Sequence, residues 1–190
     1  MAAPQPPALP EEVYAIFCAG IEQATAQKMV AGLTAAVQAK VVKHVHILFQ
    51  SAGGLVGDGV FLYNLFRSLP IELTLYNVGQ ISSAAVIAFL GAKHRKTSSR
   101  ATFMVHRTTQ NPHPATSRNL EHIAKSLALD DERTEAILRE HVKFPEEMWA
   151  AMHYHDLHLS AQEAVEYGIA DEISDFGPPA GTQIFNILAL

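Results

Sequence analysis

Apolar positions along the chain change their period repeatedly, and each change marks an element. VYAIFCAG (13–20) is a short apolar run ending in Gly20, which predicts a strand. The Ala-rich stretch 21–40 carries a helical stripe through Ile21, Met29, Leu33 and Val37. KHVHILFQ (43–50) reads as a second strand, SAGGLVGDG (51–59) as a Gly-rich turn, and VFLYNLFRSL (60–69) as a helix stopped by Pro70. IELTLYNV (71–78) predicts a third strand. NVGQISSAAVIAFLGA (77–92) then runs from a polar turn with two adjacent serines into an apolar helix.

ATFMVH (101–106) predicts another strand, followed by a loop, RTTQNPHPATS, broken by Pro112 and Pro114. Residues 118–142 form a long polar-faced helix, and PEEMWAAM (145–152) a short one with Pro145 at its start. SAQEAVEYG (160–168) has the signature of a capped helix: Ser160 and Glu163 make the S-x-x-E box, and Gly168 supplies the stop. DEISDF and QIFNIL are candidate closing strands. Strands alternate with helices, so the class is α/β. The pattern alone points to a doubly wound parallel sheet.

Composition narrows the picture. At 190 residues and 48% hydrophobic, the chain suits one domain over 13–190, preceded by an extended Pro-rich tail, 1–12, with Pro4, Pro6, Pro7 and Pro10. The formal charge is −5 and no basic stripe stands out, which argues against nucleic acid as a partner. No apolar run reaches the ~18 residues of a membrane helix. Cys18 is the single cysteine, so no intrachain disulfide can form and a reducing compartment fits. The start, MAAPQPPALPEE, lacks the basic and apolar regions of a signal peptide, so a cytoplasmic protein is expected.

Several motifs are missing. There is no G-x-x-x-x-G-K-[ST], H-E-x-x-H, G-x-S-x-G or S-x-x-K, and glycines 53, 54, 57 and 59 do not fit G-x-G-x-x-G. HYHDLH gathers His153, His155, Asp156 and His158. Its spacing matches no standard zinc site, although His153 and His155 would share one side of an extended strand. HVH at 44–46 reads as a structural pair on one strand face. No metal and no cofactor is expected.

The serine pair is the richer feature. A serine before a helix ordinarily caps it by accepting from a backbone N–H. A helix start also has free N–H groups that can hold an oxyanion, and the residue after Ser83, Ala84, can supply one donor. Gly54, in the turn after the second strand, could take an unusual backbone angle and supply another. A nucleophilic serine needs a base, and the base an orienting acid. His106 ends a strand, where a side chain is delivered to a site. Asp156 lies in the loop before the capped helix. Each has a plainer reading, as a polar strand end and a solvated loop acid.

Four stretches together resemble the Clp protease proteolytic subunit (ClpP) family, over about residues 13–176. ILFQSAGGLVGDGVFLYNLFRSLP resembles the region around the family's S-P-G-G, and GQISSAA its G-Q-A-A-S-M-G nucleophile turn. ATFMVH resembles V-M-I-H, which carries the histidine. HDLHLSAQEAVEYGIADEI resembles R-D-R-F-L-S-A-x-E-A-x-E-Y-G-L-V-D, which carries the aspartate. The resemblance implies Ser83 as nucleophile, His106 as base, Asp156 as orienting acid, and the N–H groups of Gly54 and Ala84 as oxyanion donors. It implies a ClpP/crotonase-like spiral of β-β-α units in place of the doubly wound sheet. It also implies peptide or unfolded-protein substrates, stacked heptameric rings and an AAA+ ATPase that feeds them.

The departures are specific. Ala52 replaces the family's proline, RTTQNPHPA replaces a loop beginning Q-P-L-G-G, and His155 replaces an arginine that takes part in ring–ring contacts. The axial segment that meets the ATPase has no clear counterpart, so the sequence looks closest to shorter ClpP-like proteins. Local chemistry does not separate Ser82 from Ser83. Counting from Gly79 in the family's turn selects Ser83, whereas counting back from Gly91 selects Ser82. The turn sets exposure, so Ser83 is preferred, leaving Ser82 as a cap or turn residue. The expected function is serine endopeptidase. The alternatives are a non-catalytic ring subunit scaffolding an active paralogue, and a crotonase-like acyl-CoA enzyme.

Overall fold

A computed structural model describes residues 10–110 and 116–189. Most of the Pro-rich tail and the center of the 107–117 loop lie outside the described residues. The larger sheet has six parallel strands: β1 (Glu12–Cys18), β2 (His44–Gln50), β3 (Glu72–Asn77), β5 (His94–Thr97), β8 (Glu172–Ile173) and β9 (Ile184–Asn186). The order is β8-β5-β3-β2-β1-β9. A smaller sheet contains β4 (Gln80–Ser82), β6 (Thr102–Val105) and β7 (Leu157–Ser160), in the order β4-β6-β7.

The helices are α1 (Gln23–Gln38), α2 (Val56–Ser68), α3 (Ala84–Leu90), α4 (Ser117–His141), α5 (Glu146–Ala151) and α6 (Ala161–Glu166). From β1 through β2, β3 and β5 to β8, successive large-sheet strands add on one side, each parallel to the last. The chain leaves for the small sheet between β3 and β5 and again after β5. This layered progression replaces the doubly wound sheet that the alternation alone suggested, and it agrees with the β-β-α spiral.

Strand alternation builds the core. Val45, Ile47 and Phe49 of β2 are buried, register with Val13, Ala15 and Phe17 of β1, and face Met29, Leu33, Leu62 and Phe66 of the first two helices. Phe17 stacks on Phe49 at 5.2 Å, Phe49 meets Phe89 at 6.5 Å, and Phe89 meets Phe103 at 5.5 Å. This aromatic chain runs from the large sheet through α3 into the small one. Every residue of α3 is buried, so its apolar sequence is that of a central helix.

Several boundaries differ from expectation. The large sheet starts at Glu12, within the expected tail. The buried stripe of α1 runs through Ala26, Met29, Leu33 and Ala36, with Val37 to one side. Helix α2 begins at Val56, inside the expected turn, and its Gly59 packs against Ala84: a Cβ there would sit 2.6 Å from the Ala84 carbonyl oxygen. Pro145 is the N-cap of α5, one place before the helix. The box on α6 forms as read, with Ser160 Oγ accepting from Glu163 N and Glu163 Oε2 accepting from Ser160 N at 2.8 Å.

Candidate active site

Strand register explains how three distant residues meet. In the parallel β4–β6 pair, Ser82 is opposite Met104, and the next N–H, that of Ser83, donates to the Met104 carbonyl at 2.8 Å. In the antiparallel β6–β7 pair, Val105 is opposite Leu157. One step further along that register puts His106 beside Asp156. The ends of β4 and β6 and the start of β7 therefore converge on one spot.

There, Ser83 Oγ lies 2.7 Å from His106 Nε2, a full-strength hydrogen-bond distance. Asp156 Oδ1 lies 4.0 Å from His106 Nδ1, within ion-pair reach but longer than a hydrogen bond. The imidazole is mostly enclosed, at 18% exposed, while the carboxylate is 57% exposed.

Ser83 has φ +56 and ψ −131, a conformation that non-glycine residues seldom hold and that clusters at functional sites. It is the N-cap residue of α3, yet its hydroxyl makes no capping bond. Ser82 is not a cap either. It ends β4, is 1% exposed, and its hydroxyl accepts from Gln80 Nε2 at 2.8 Å. The cap or turn role expected for Ser82 is thus corrected, and of the two serines only Ser83 reaches a histidine.

The Gly53-Gly54 turn closes the other side. Gly53 has φ +96 and Gly54 φ +152. The turn is pinned by Ile21 N donating to Gly53 O at 2.8 Å and by Leu55 N donating to Ile21 O at 2.8 Å. A Cβ on Gly53 would stand 2.7 Å from Ser83 Cβ and 3.3 Å from Ala84 N, so this turn lies directly on the serine and the start of α3. Neither Gly54 N–H nor Ala84 N–H has an acceptor among the described residues.

An anchor that sequence reading missed sits beside the histidine. Arg107 Nε donates to Asp131 Oδ2 at 2.9 Å, and Thr108 N donates to Asp131 Oδ1 at 2.7 Å. Asp131 on α4 thereby holds the chain immediately after His106. Only the contact itself, across 23 residues, could have exposed it.

The HYHDLH reading changes as well. His153 and His155 lie in the turn that ends α5, not along a strand, and His153 contacts Arg107 Nη1. Among the described residues, the histidine and carboxylate grouping with metal-ligand proximity is instead Glu12, His44 and His46.

A serine on a strained strand-to-helix turn, hydrogen-bonded to a histidine, beside two unpaired N–H groups, is the layout of an acyl-transfer site. The Clp protease family model matches residues 8–176, and the chain belongs to that family. An ATP-dependent Clp protease proteolytic subunit from Dehalococcoides mccartyi is 28% identical over 133 residues, which is 69% of this chain and 66% of that protein. The solved structure of a ClpP1 mutant from Listeria monocytogenes aligns with a TM-score of 0.72 at 23% identity, covering 87% of this chain and 92% of that one. The latter similarity is one of fold. No helix among the described residues is long and apolar enough to cross a membrane.

Proposed function

We propose that this chain is a serine peptidase that works through Ser83, His106 and Asp156. The observation that carries the reading is the 2.7 Å approach of Ser83 Oγ to His106 Nε2. With Nε2 unprotonated, His106 takes the Ser83 proton as Oγ attacks a peptide carbonyl carbon. The carbonyl oxygen becomes an oxyanion, held by the N–H groups of Gly54 and Ala84. His106 then passes its proton to the leaving amine, and the C–N bond breaks to leave an acyl-Ser83 ester. Water, deprotonated by His106, attacks the ester and releases the acid product. Asp156 orients the imidazole and stabilizes its cation.

Assembly into rings is part of the proposal. It is supported by α4, a helix of 25 residues in which Ile137 and Leu138 alone are buried, while Leu120 and Leu129 are 55% and 56% exposed. So long a helix, with so little of its length packed on its own chain, leaves Leu120 and Leu129 for burial against another copy. A feeding AAA+ ATPase and unfolded-protein substrates enter from the family resemblance. The single exposed Cys18 fits a reducing, cytoplasmic setting.

The deciding experiment is labeling with a fluorophosphonate probe, the adduct being located by mass spectrometry. The wild type should carry the adduct on Ser83, and Ser83→Ala should neither label nor cleave peptides while melting normally. Labeling that survives Ser83→Ala would overturn the assignment. Native mass measured on the same sample gives the ring size.

A further inference from the structure

The polar face of the large sheet gathers groups that the peptidase chemistry leaves unused. In register, Glu12 lies opposite His44 and Tyr14 opposite His46, and residues two apart on a strand share a face. The His44 and His46 rings stack at 3.9 Å, and Tyr14 stacks on His46 at 4.6 Å. Phe176 meets Tyr14 and Tyr76 edge-on from above.

The hydrogen bonds of this cluster are incomplete in one direction. His46 Nδ1 is 3.1 Å from Tyr76 Oη, and the residue is 9% exposed, yet its buried Nε2 has no partner. With the hydrogen on Nδ1, the Nε2 lone pair faces Glu12 Oε2 at 3.9 Å. Glu12 Oε2 is steadied by the Tyr14 hydroxyl at 3.2 Å, and His44 Nε2 is 2.7 Å from Thr74 Oγ1.

We propose that Glu12, His44 and His46 bind a divalent first-row transition metal ion such as Zn²⁺. Donor atoms from the three lie within 4.8 Å of one another. Ligands on a tetrahedral zinc are about 3.3 Å apart, so side-chain rotation closes the site without moving the sheet. Two imidazoles and one carboxylate are a borderline-soft set suited to such ions, with a fourth position open to water. The partners of the ligands match what metal sites use: Tyr76 on the far nitrogen of His46, and Tyr14 on the carboxylate.

The nearby basic side chains are already engaged. Lys96 pairs with Glu172 at 2.8 Å, and His94 with Glu72 at 2.9 Å. A surface cleft of about 500 Å³, lined by Glu12, Tyr14 and residues 179–183, adjoins the carboxylate. The site lies at the start of β2, six residues or about 20 Å from the end that leads to the serine turn. A bound ion would tie the first residue of β1 to β2.

The test uses the full chain, stripped with chelator and titrated with Co²⁺ by visible absorption, with Zn²⁺ in competition. The wild type should bind one Co²⁺ per chain and release it to Zn²⁺. Glu12→Gln and His44→Asn should each weaken Zn²⁺ binding about tenfold or more, His46→Asn should abolish it, and Tyr76→Phe should weaken it about tenfold. Fluorophosphonate labeling at the wild-type rate would certify that these variants are folded. The proposal is overturned if the wild type takes up no stoichiometric metal, or if Glu12→Gln and His44→Asn bind as the wild type does. It is equally overturned if binding is lost on changing His153 and His155 instead.

Discussion

Replacing Gly53 by alanine should disable the site far more than it destabilizes the fold. At φ +96 an alanine costs about 1–2 kcal/mol in backbone strain alone. Its Cβ would also stand 2.7 Å from both Ser82 O and Ser83 Cβ, so those atoms must retreat by several tenths of an ångström. Adding the contact term brings the expected loss to about 2–3 kcal/mol. For a chain of this length that lowers Tm by roughly 5–10 °C. The displacement falls on Ser83, whose hydrogen bond to His106 is 2.7 Å long, and on the Ala84 N–H beside it. Misplacing a nucleophile and one oxyanion donor on that scale costs about 10²-fold in rate. Fluorophosphonate labeling kinetics and thermal unfolding on one preparation read both quantities. A variant that melts lower as expected but labels at the wild-type rate would refute the reasoning, because the turn would then not border the reacting atoms.

Three further outcomes follow from neighboring features. Ser82→Ala should keep labeling and lose only about 1 kcal/mol, since it removes one hydrogen bond from Gln80; urea melts and probe labeling check both. Asp156→Asn should slow peptide cleavage by about 10²–10⁴-fold with little change in Tm, because the carboxylate is largely exposed and acts through His106. His141 is held below its ordinary pKa by burial and by the cations Arg95 and Arg67. The unfolded chain therefore binds more protons there, and the stability His141 contributes is complete above about pH 6.5 and lost as pH falls below it. Urea midpoints should drop between about pH 7.5 and about pH 5.5, and His141→Gln should shrink the difference.

The residues legible in the sequence were those whose own neighborhoods carry the signal. Val45, Ile47 and Phe49 alternate, Ser160 and Glu163 cap, and Ser83 and His106 stand at the ends of readable elements. The strands β4, β5 and β7 were not legible. HRKT at 94–97 has no apolar alternation, and QIS and LHLS are too short to show a period; pairing with other strands makes them extended. The same limit hid Asp131, whose bonds to Arg107 and Thr108 exist only once α4 folds back. It also made HVH look plainer than HYHDLH. The ligand partner of the first pair is Glu12, on another strand, whereas the crowding of the second dissolves in a turn.

The three-stranded sheet supports Ser83, His106 and Asp156 unequally. Ser83 and His106 follow β4 and β6, and β6 is the middle strand, paired on both sides; Asp156 precedes β7, an edge strand of four residues. Peeling that edge away would carry off Asp156 and leave Ser83 and His106 in contact. A slip of β7 by two residues would carry Asp156 about 7 Å along β6 while preserving which side chains face inward. The fold therefore holds the least anchored of the three residues at the margin of the small sheet.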